Sequence, residues 1–341
     1  MFYRLAVFFF VSFSLFAVEN DYRVLGVGSA PIDLLIQVDD SFLAAHIWGE
    51  KGGSCPCDPT TIERVIRESG KKAKYIPGGS AANTIRALAK LGEKCAFFSH
   101  VGNDVYGEAF CCDIAASGIV SRIVEIAESS TAHVLCMVSP EGERTFLGYD
   151  PVVEEQLPAD EDLDGVQWIH MEARQFDHSA TAMKTLKMAR ERGIKTSIDL
   201  SCPEIVRKHK EILLEALAQY IDIVFCNENE VQVLTGLSPE EGCLKLQELC
   251  PVAVVTLGSK GCLVGYGKKA VLVPALPANV IDTTGAGDFF AAGFLYGYLQ
   301  AKSMEVCALI GHRLGSAVVQ EIGAQISESK WEEIRLLTSR D

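Results

Sequence analysis

The stretch PGGSAANTIRALAKLGEKCAFFSHVG, residues 77–102, places a glycine-rich turn, a helical segment and an apolar strand directly after one another. In AANTIRALAKLG, residues 81–92, apolar residues recur at helical spacing over about three turns. CAFFSHVG, residues 95–102, is apolar on both faces, which is typical of a strand covered on both sides. The order of turn, helix and buried strand predicts an α/β unit with parallel strands.

The same alternation continues through most of the chain after Asn20. Two further helix candidates, TAMKTLKMARERG and PEEGCLKLQELC, lie between apolar strand candidates. Buried strands separated by helices indicate a mainly parallel sheet between two layers of helices, so we expect an α/β fold. The other strand candidates are YRVLGVGS (22–29), VQWIHMEA (166–173), IKTSIDLS (194–201), DIVFCN (222–227) and VAVVTLG (252–258).

Two regions interrupt this alternation and predict a small β structure beside the sheet. Residues 36–76 are polar and rich in turns around WGEKGGSCPCDP. Residues 122–149 contain the short strand candidates RIVEIA, AHVLCMV and RTFLGY, with the turn SPEGE between the last two. No linker is long enough to separate two independent domains. We therefore expect one domain, residues 21–341, with a lid formed by these two regions.

The composition limits the classes of partner. Of 341 residues, 48% are hydrophobic and 22% charged, as in soluble globular proteins. The net charge of −14 argues against a nucleic acid, because its binding relies on Lys and Arg that neutralise phosphates. Twelve scattered cysteines without paired CxxC units predict reduced thiols rather than a zinc site, and hence a reducing compartment.

Three glycine-rich stretches lie where strands end and helices begin, which is where open α/β sheets bind ligands. GVGSAPID follows the first strand, PGGSAANT opens the helix near Ala81, and DTTGAGDFF (282–290) opens a helix through FAAGFLYGYL. The first stretch is not a dinucleotide fingerprint, because GxGxxG needs a glycine where Pro31 stands. An NAD(P)-dependent oxidoreductase therefore loses its main support.

The stretch DTTGAGD combines a seat for phosphate with a carboxylate. Gly285, Ala286 and Gly287 have no bulky side chains, so an anion can approach their N–H groups at the positive end of the helix. Asp288 lies in the first turn of the same helix, where the helix dipole favours an ionised carboxylate. Phosphoryl transfer needs an oriented phosphate and late acceptance of a hydroxyl proton, and this stretch offers both. The alternative is an aspartate that merely caps its helix.

PGGSAANTIRALAKLG and DTTGAGDFFAAGF resemble the two signature motifs of the ribokinase-like (PfkB) carbohydrate kinase family, in the expected order and at the expected separation. The resemblance extends from about Asp21 to Ser327 and is closest to the adenosine-kinase-like branch, on VDDSFLAAH, GGSAANT, GERTF and NENE together. It implies a three-layer α/β/α sandwich with a mainly parallel central sheet and a small β lid. It also implies an ATP-dependent kinase that phosphorylates a hydroxyl of a nucleoside or sugar.

The resemblance implies roles for residues on the acceptor side. Asp288 would be the general base that takes the proton of the substrate hydroxyl. Asp33, in GSAPID, would bind substrate hydroxyls, and Asn83 would offer both a donor and an acceptor. The structural alternatives are a turn residue at position 33 and a surface amide at position 83. The small residues implied to approach the substrate or the transferred phosphoryl group are Gly78, Gly79, Gly285, Ala286 and Gly287.

The resemblance also implies positions for the nucleotide and its metal. Asn227 and Glu230, in NENE, would hold Mg²⁺ and its waters near the triphosphate, whereas a solvated acidic helix start is the alternative. Thr256, Gly258 and Gly261, in TLGSKG, would lie near the ribose and phosphates of ATP. Turn chemistry alone is the alternative for these glycines.

Some members of the family bind a monovalent cation beside the anion hole. Asp282 and the carbonyl of Thr284 match the positions that hold it, together with groups near Gly323 and Ser327. Potassium dependence stays open, and so does a homodimer. Arg144, in GERTF, matches an arginine that can reach phosphates in adenosine-kinase relatives.

The first residues, MFYRLAVFFFVSFSLFAVEN (1–20), differ from the rest of the chain. Their apolar run resembles the core of a signal peptide and is too short to span a bilayer. Export would place a kinase where ATP is scarce, so we interpret the segment as an over-extended start or a peripheral tether of a cytoplasmic protein. A non-catalytic nucleotide- or sugar-binding protein on the same scaffold is the remaining alternative, although Asp288 and the glycines are all present.

Overall fold

The computed structural model describes residues 22–48, 51, 53–141, 144–151 and 156–338. The strands within these ranges are β1 (Val24–Val27), β2 (Ile32–Gln37), β3 (Ser54–Pro56), β4 (Lys74–Pro77), β5 (Cys95–Gly102), β6 (Val120–Ile126), β7 (His133–Val138), β8 (Arg144–Tyr149), β9 (Trp168–Glu172), β10 (Lys195–Asp199), β11 (Ile223–Asn227), β12 (Val252–Thr256), β13 (Cys262–Tyr266) and β14 (Lys269–Val273). The helices are α1 (Asp40–His46), α2 (Pro59–Ser69), α3 (Ser80–Lys90), α4 (Val105–Ala116), α5 (Ser179–Glu191), α6 (Pro203–Lys208), α7 (Lys210–Gln219), α8 (Glu228–Thr235), α9 (Pro239–Leu246), α10 (Ala286–Leu299), α11 (Met304–Val318) and α12 (Glu328–Thr338).

The central sheet has the strand order β14-β13-β12-β11-β10-β9-β1-β5-β6. The strands from β12 to β6 in this order pair in parallel, and β13 and β14 add an antiparallel edge. The predicted strands correspond to β1, β5, β9, β10, β11 and β12. Since parallel strands present their carboxyl ends at one edge, the loops that follow them converge there.

Helices cover both faces of the central sheet. Successive strand residues point to opposite faces, so Val24 and Phe97 lie in one hydrophobic core while Leu25 and Ile169 lie in another. The first core includes residues of α3, α10 and α11, and the second includes residues of α5, α7 and α9. This arrangement confirms the predicted three-layer α/β/α sandwich.

A second, smaller sheet has the strand order β3-β8-β7-β2-β4. Four of its strands, β3, β4, β7 and β8, come from the two regions predicted to form a lid, but the first region, expected to be a β structure, also contains the helices α1 and α2. RIVEIA, however, was expected there and lies instead in β6, at the edge of the central sheet and parallel to β5. The reason is topological. The helix α4 between β5 and β6 is long enough for a crossover that returns the chain parallel to β5 in the same sheet.

The helix α10 packs against both α3 and α11. The contact between α3 and α10 brings together the two glycine-rich motifs, which are about 200 residues apart in the sequence. Both helices begin at the carboxyl-terminal edge of the central sheet, next to the small sheet. The fold therefore places the predicted acceptor and phosphate motifs side by side.

The apolar segment at residues 1–20 lies outside the described residues. Among those that are described, no helix has the length and apolarity needed to cross a bilayer. All twelve cysteines are described, and each is a free thiol.

Candidate active site

The start of α10 forms the centre of the site. Gly285 precedes the helix with a φ of 77°, and a Cβ there would lie 2.7 Å from Cβ of Ala324, so the position requires glycine. In the described part of the chain, no side chain caps this helix. Its first N–H groups therefore have no side-chain acceptor, which is the arrangement that suits an anion. The N–H of Ala286 is the least available of them, because it donates to the carbonyl of Thr283 at 3.1 Å.

Three cavities meet at this helix start. The Asp33 cavity, about 260 Å³, is lined by Asp33, Asn83 and Asp288 among others. The central cavity, about 210 Å³, shares Gly285 and Asp288 with the Asp33 cavity. The His312 cavity, about 480 Å³, shares Ala286 and Gly287 with the central cavity. One turn of backbone therefore borders a continuous row of three cavities.

Asp288 lies at the junction of the Asp33 cavity and the central cavity. Its Oδ1 accepts a hydrogen bond from the Ser80 hydroxyl at 2.8 Å, and its Oδ2 accepts one from Nδ2 of Asn83 at 2.8 Å. Burial raises the pKa of Asp288 to about 6, although the hydrogen bonds from Asn83 and Ser80 oppose the rise. Burial thus outweighs the helix dipole that the sequence suggested would favour the ionised form. A carboxylate of this pKa is a stronger base than an exposed aspartate.

Asp33 and Asn83 lie beside Asp288, and neither adopts its alternative structural role. Asn83 is buried in the first turn of α3 rather than on the helix surface. Asp33, on β2, has no hydrogen-bond partner for its carboxyl group among the residues described, and burial raises its pKa to about 6 against the opposing charge of Arg144. The carboxyl group is therefore free to accept hydrogen bonds from a ligand in the cavity.

Gly78 and Gly79 line the same cavity, at the start of α3. A Cβ on Gly79 would lie 2.5 Å from the carbonyl oxygen of Ser29, and the residue has a φ of 90°. Only glycine allows the α3 start to approach the loop after β1 this closely.

Asn227 and Glu230 form the start of α8 and also line the central cavity. The Asn227 side chain accepts from the N–H groups of Asn229 and Glu230, both at 2.9 Å. Both carboxylate oxygens of Glu230 accept from Asn227, at 2.7 and 2.8 Å. The pair therefore forms a capping box, while burial raises the pKa of Glu230 to about 7 despite these hydrogen bonds. Asn227 and Glu230 thus cap α8 and at the same time line the central cavity.

Two acidic residues that the sequence reasoning missed lie in the same region. Asp199, at the end of β10, lines the central cavity, and burial together with the charges of Glu230 and Asp288 raises its pKa well above the usual range. Glu172, at the end of β9, is buried and accepts from the backbone N–H groups of Ser29 and Ala81, each at 2.8 Å. An acidic residue at the carboxyl end of an apolar strand, as in WIHME and TSID, was the available signal.

The central cavity has the donor set that Mg²⁺ prefers. Asp199 and Glu230 supply carboxylate oxygens, and their mutual repulsion would be relieved by a divalent cation. No three Asp, Glu, His or Cys side chains among the described residues are arranged to enclose a metal ion. A partial set of carboxylates suits Mg²⁺, which keeps several waters and takes other ligands from phosphates.

Thr256, Gly258 and Gly261 line the His312 cavity, together with apolar side chains of the loop after β14 and Val319, which directly follows α11. His312 is packed edge-on against Phe290 and its Nε2 lies 3.1 Å from the carbonyl oxygen of Val273. Thr256 and Gly287 connect this cavity's polar end with the α10 start. The mainly apolar walls suit a flat aromatic group. The principal apolar lining residues are Ala275, Leu276, Pro277, Ala278, Val280 and Val319.

Asp282 and Thr284, the predicted cation ligands, are engaged by Arg144. The guanidinium donates from Nη2 to Oδ2 of Asp282 at 2.7 Å and from Nη1 to the Thr284 hydroxyl at 2.9 Å. Asp282 also accepts from the N–H and hydroxyl of Thr284 and from the N–H of Gly323. With these donors its pKa is held below the usual range even though burial opposes this. The Asp282 carboxylate is therefore paired with a guanidinium, whereas the carbonyl of Thr284, the other predicted cation ligand, takes no part in this contact.

Comparisons with known proteins agree with this geometry. Residues 54–331 match the model of the pfkB family of carbohydrate kinases. The adenosine kinase of Sinorhizobium meliloti is 30% identical and superposes with a TM-score of 0.81 over 93% of this chain and 99% of its own. A probable sugar kinase from Rhizobium etli CFN 42 is 29% identical with a TM-score of 0.82, over 93% of this chain and 98% of its own. An uncharacterized sugar kinase from Archaeoglobus fulgidus is 29% identical over 245 residues, which are 70% of this chain and 96% of that protein.

Proposed function

Because the chain belongs to the pfkB family of carbohydrate kinases, we propose that it transfers the γ-phosphoryl group of ATP to a hydroxyl of a nucleoside, with Asp288 as the general base. Membership of this family makes the chain a sugar or nucleoside kinase, a phosphotransferase with an alcohol acceptor. The nucleoside acceptor and the role of Asp288 are supported by one observation: the start of α10 borders all three cavities.

The donor nucleotide enters from the side of the His312 cavity. Its adenine would pack between the apolar walls near Val319 and Pro277, and its phosphates would run past Thr256 toward the start of α10. The N–H groups of Gly285 and Gly287 then face the transferred phosphoryl group and stabilise the charge on its oxygens. Mg²⁺ bound near Asp199 and Glu230 would supply further charge neutralisation for the phosphates.

The acceptor occupies the Asp33 cavity with its reactive hydroxyl toward Asp288. Asp33 accepts hydrogen bonds from neighbouring hydroxyls, for which its two unpartnered oxygens are suited. Asp288 accepts the proton of the attacking hydroxyl as the phosphoryl group is transferred. Ser80 and Asn83 donate to different carboxylate oxygens of Asp288. The carboxylate is therefore held in one orientation. Orientation of this kind is the main contribution that a protein makes to phosphoryl transfer.

The lining of the Asp33 cavity favours a nucleoside over a free sugar. Besides its polar residues it presents Leu35, Ile76, Phe146 and Ile322. A free sugar carries hydroxyls on most of its surface, and burying them against these side chains would leave them without partners. A nucleoside combines a ribose, which matches the carboxylates, with an apolar base, which matches the remaining walls.

We propose that the small sheet acts as a lid over the acceptor. Asp33 on β2, Cys136 on β7 and Arg144 on β8 all line the Asp33 cavity from this sheet. Closure would exclude water, which otherwise competes with the acceptor hydroxyl for the phosphoryl group. The ion pair of Arg144 with Asp282 joins the small sheet to the loop before α10.

The proposed function is tested by ADP release across a panel of nucleosides and free sugars, with ATP and Mg²⁺. We expect the largest kcat/KM with a nucleoside, and much smaller values with ribose or fructose. A free sugar as the best acceptor would contradict the assignment of the apolar walls. If the protein binds ATP but no acceptor in the panel leads to ADP release, the non-catalytic alternative would be favoured. Thermal shift with ATP–Mg²⁺ and with NAD separates the kinase from an oxidoreductase, which only NAD would stabilise.

We further propose that activity does not require potassium. The guanidinium of Arg144 already supplies a positive charge to Asp282, so a monovalent cation has no unpaired carboxylate to bind. The initial rate should be the same in potassium chloride and in tetramethylammonium chloride of equal ionic strength. The variant Arg144→Met should be slower and regain part of its rate on addition of potassium. A wild-type rate that falls when potassium is withdrawn would contradict this prediction.

A further inference from the structure

Arg86 lies behind the catalytic aspartate, one helical turn after Asn83 on α3. Its guanidinium donates from Nε to Oδ2 of Asp113 at 2.6 Å and from Nη1 to Oδ1 of Asn83 at 2.9 Å. Nη1 also lies 3.2 Å from the carbonyl oxygen of Gly78. The side chain is mostly buried and packs over the ring of Phe110 at 5.2 Å. One guanidinium thus joins both ends of the acceptor motif PGGSAAN to α4.

The contact with Arg86 determines which way the Asn83 amide faces. A guanidinium can only donate hydrogen bonds, so the atom of Asn83 next to it must be the carbonyl oxygen. The amide nitrogen then faces the other way, and it donates to Oδ2 of Asp288 at 2.8 Å. If the amide were reversed, its oxygen would face the carboxylate and repel it. Arg86 therefore selects the one amide orientation that stabilises an oriented carboxylate.

We propose that Arg86 is a positioning residue for the phosphoryl transfer, acting on Asp288 through the side chain of Asn83. The proposal rests on the proposed function, in which Asp288 is the general base. Arg86 does not touch the substrate. Its effect is to keep the Asn83 amide in place while the acceptor hydroxyl gives up its proton to Asp288.

A purely structural role does not account for the way this arginine is buried. Its Nη2 is buried and has no hydrogen-bond partner among the described residues. A charged group chosen for stability alone would satisfy all of its donors, because each buried unpaired donor is costly. Nη2 stays unpaired while Nε pairs with Asp113 and Nη1 contacts both Asn83 and Gly78, the two ends of the acceptor motif.

The environment of Asp288 makes its orientation sensitive to this contact. Apart from Asn83, only the Ser80 hydroxyl donates to its carboxylate from the described side chains. If Asn83 lost its orientation, its hydrogen bond would no longer oppose the repulsion between Asp288 and the nearby acidic side chains. The charged or titratable groups that act on Asp288 from the packed elements are Arg86 of α3, Glu172 of β9, Asp199 of β10 and Glu230 of α8.

The test compares Arg86→Gln with two further variants. Arg86→Gln should lower kcat by about 10-fold to 100-fold, the range expected when a catalytic group is mispositioned, while KM for ATP stays unchanged. Asp113→Asn removes the charge of the group that anchors Nε but keeps one acceptor, at a half-exposed site, so it should fold normally and lower kcat by a smaller factor. Arg23→Gln is the matched control, because Arg23 is a partly buried arginine paired with Glu93 away from the cavities. It should leave kcat unchanged.

Coupling to Asn83 separates positioning from stability. If Arg86 acts through Asn83, the double variant Arg86→Gln/Asn83→Ala should have the same kcat as Asn83→Ala alone. Losses that multiply, or unchanged kcat in both Arg86→Gln and Asp113→Asn, would overturn the proposal. A wild-type protein that phosphorylates no acceptor would instead overturn the proposed function and the role of Arg86 in it. The two failures are therefore distinguishable.

Discussion

Replacing Asp288 with asparagine is expected to lower kcat by roughly 10²-fold or more, the size of contribution made by a general base. Asparagine has the same shape and can still accept from Asn83 through its oxygen, while its amide nitrogen can donate to the Ser80 hydroxyl. The cavity walls are unchanged, so binding of ATP and of the acceptor should remain. Steady-state kinetics and thermal shift with ATP–Mg²⁺ measure the two effects separately. Wild-type turnover in this variant would rule out the assigned role.

The same substitution should change the pH dependence of the rate. In the wild type, the pKa of Asp288 is raised to about 6, so kcat/KM should fall as the pH drops through about 6 and the base becomes protonated. The residual rate of Asp288→Asn should lack this acidic limb. An acidic limb near pH 4 in the wild type would indicate a base with an ordinary carboxyl pKa.

Asp288→Asn should also make the protein more stable at neutral pH. The raised pKa means that the folded state binds a proton more tightly than the unfolded state, so stability falls as the pH rises from about 4 through about 6. The rise from 3.8 to about 6 corresponds to roughly 3 kcal/mol of unfolding free energy, at about 1.4 kcal/mol for each unit of pKa. The variant avoids this cost, so its advantage should be present at pH 7.5 and disappear near pH 4. Urea denaturation at the two pH values measures it.

A matched control distinguishes a buried active-site carboxylate from a structural one. Asp222 is also buried, but it accepts from the N–H of Thr196 at 2.9 Å and from Lys195 at 2.8 Å, away from the cavities. Asp222→Asn should therefore lose stability and keep its kcat, the opposite of Asp288→Asn. Equal behaviour of the two variants would mean that Asp288 is a structural residue.

The long apolar strands could be predicted because burial on both faces leaves a continuous apolar run. The strand β6 could not be placed in the same way. As an edge strand it carries exposed polar residues such as Ser121 and Glu125, so its sequence resembles the half-exposed strands of the small sheet. The hairpin β13–β14 was missed because both strands are only five residues long and KAVLV is partly exposed.

The residues of the site were predictable where a motif carries them and not where they depend on tertiary contacts. Asp33, Asn83 and Asp288 stand in recognisable glycine-rich contexts, and they line one cavity. Arg144 and Asp282 pair although they are 138 positions apart in the sequence, and no local sequence pattern predicts this contact. The contacts of Arg86 could not be predicted from the sequence either, because an arginine in an amphipathic helix is ordinarily exposed to solvent.

Replacing Glu172 with alanine should lower the free energy of unfolding by about 3 kcal/mol or more. Its two carboxylate oxygens accept from the N–H groups of Ser29 and Ala81, and both N–H groups would lose their partner in the interior. Each unsatisfied buried donor costs about 1–3 kcal/mol, and the vacated volume adds a cavity term. Glu172→Gln keeps the volume and one acceptor, so it should be intermediate. Chemical denaturation of the three proteins gives the order.

Glu172 should matter for acceptor binding as well as for stability, because it links two acceptor-binding segments. Ser29 precedes Asp33 in the chain, and Ala81 lies in the first turn of α3 beside Asn83. Without the carboxylate these segments are free to shift apart, so KM for the acceptor should rise while KM for ATP, bound beyond α10, stays close to the wild-type value. Glu93→Ala is the control, since it removes a buried carboxylate that pairs with Arg23 far from the cavities. If Glu93→Ala raised the acceptor KM as much as Glu172→Ala, the effect would reflect general loss of stability rather than the alignment of the two segments.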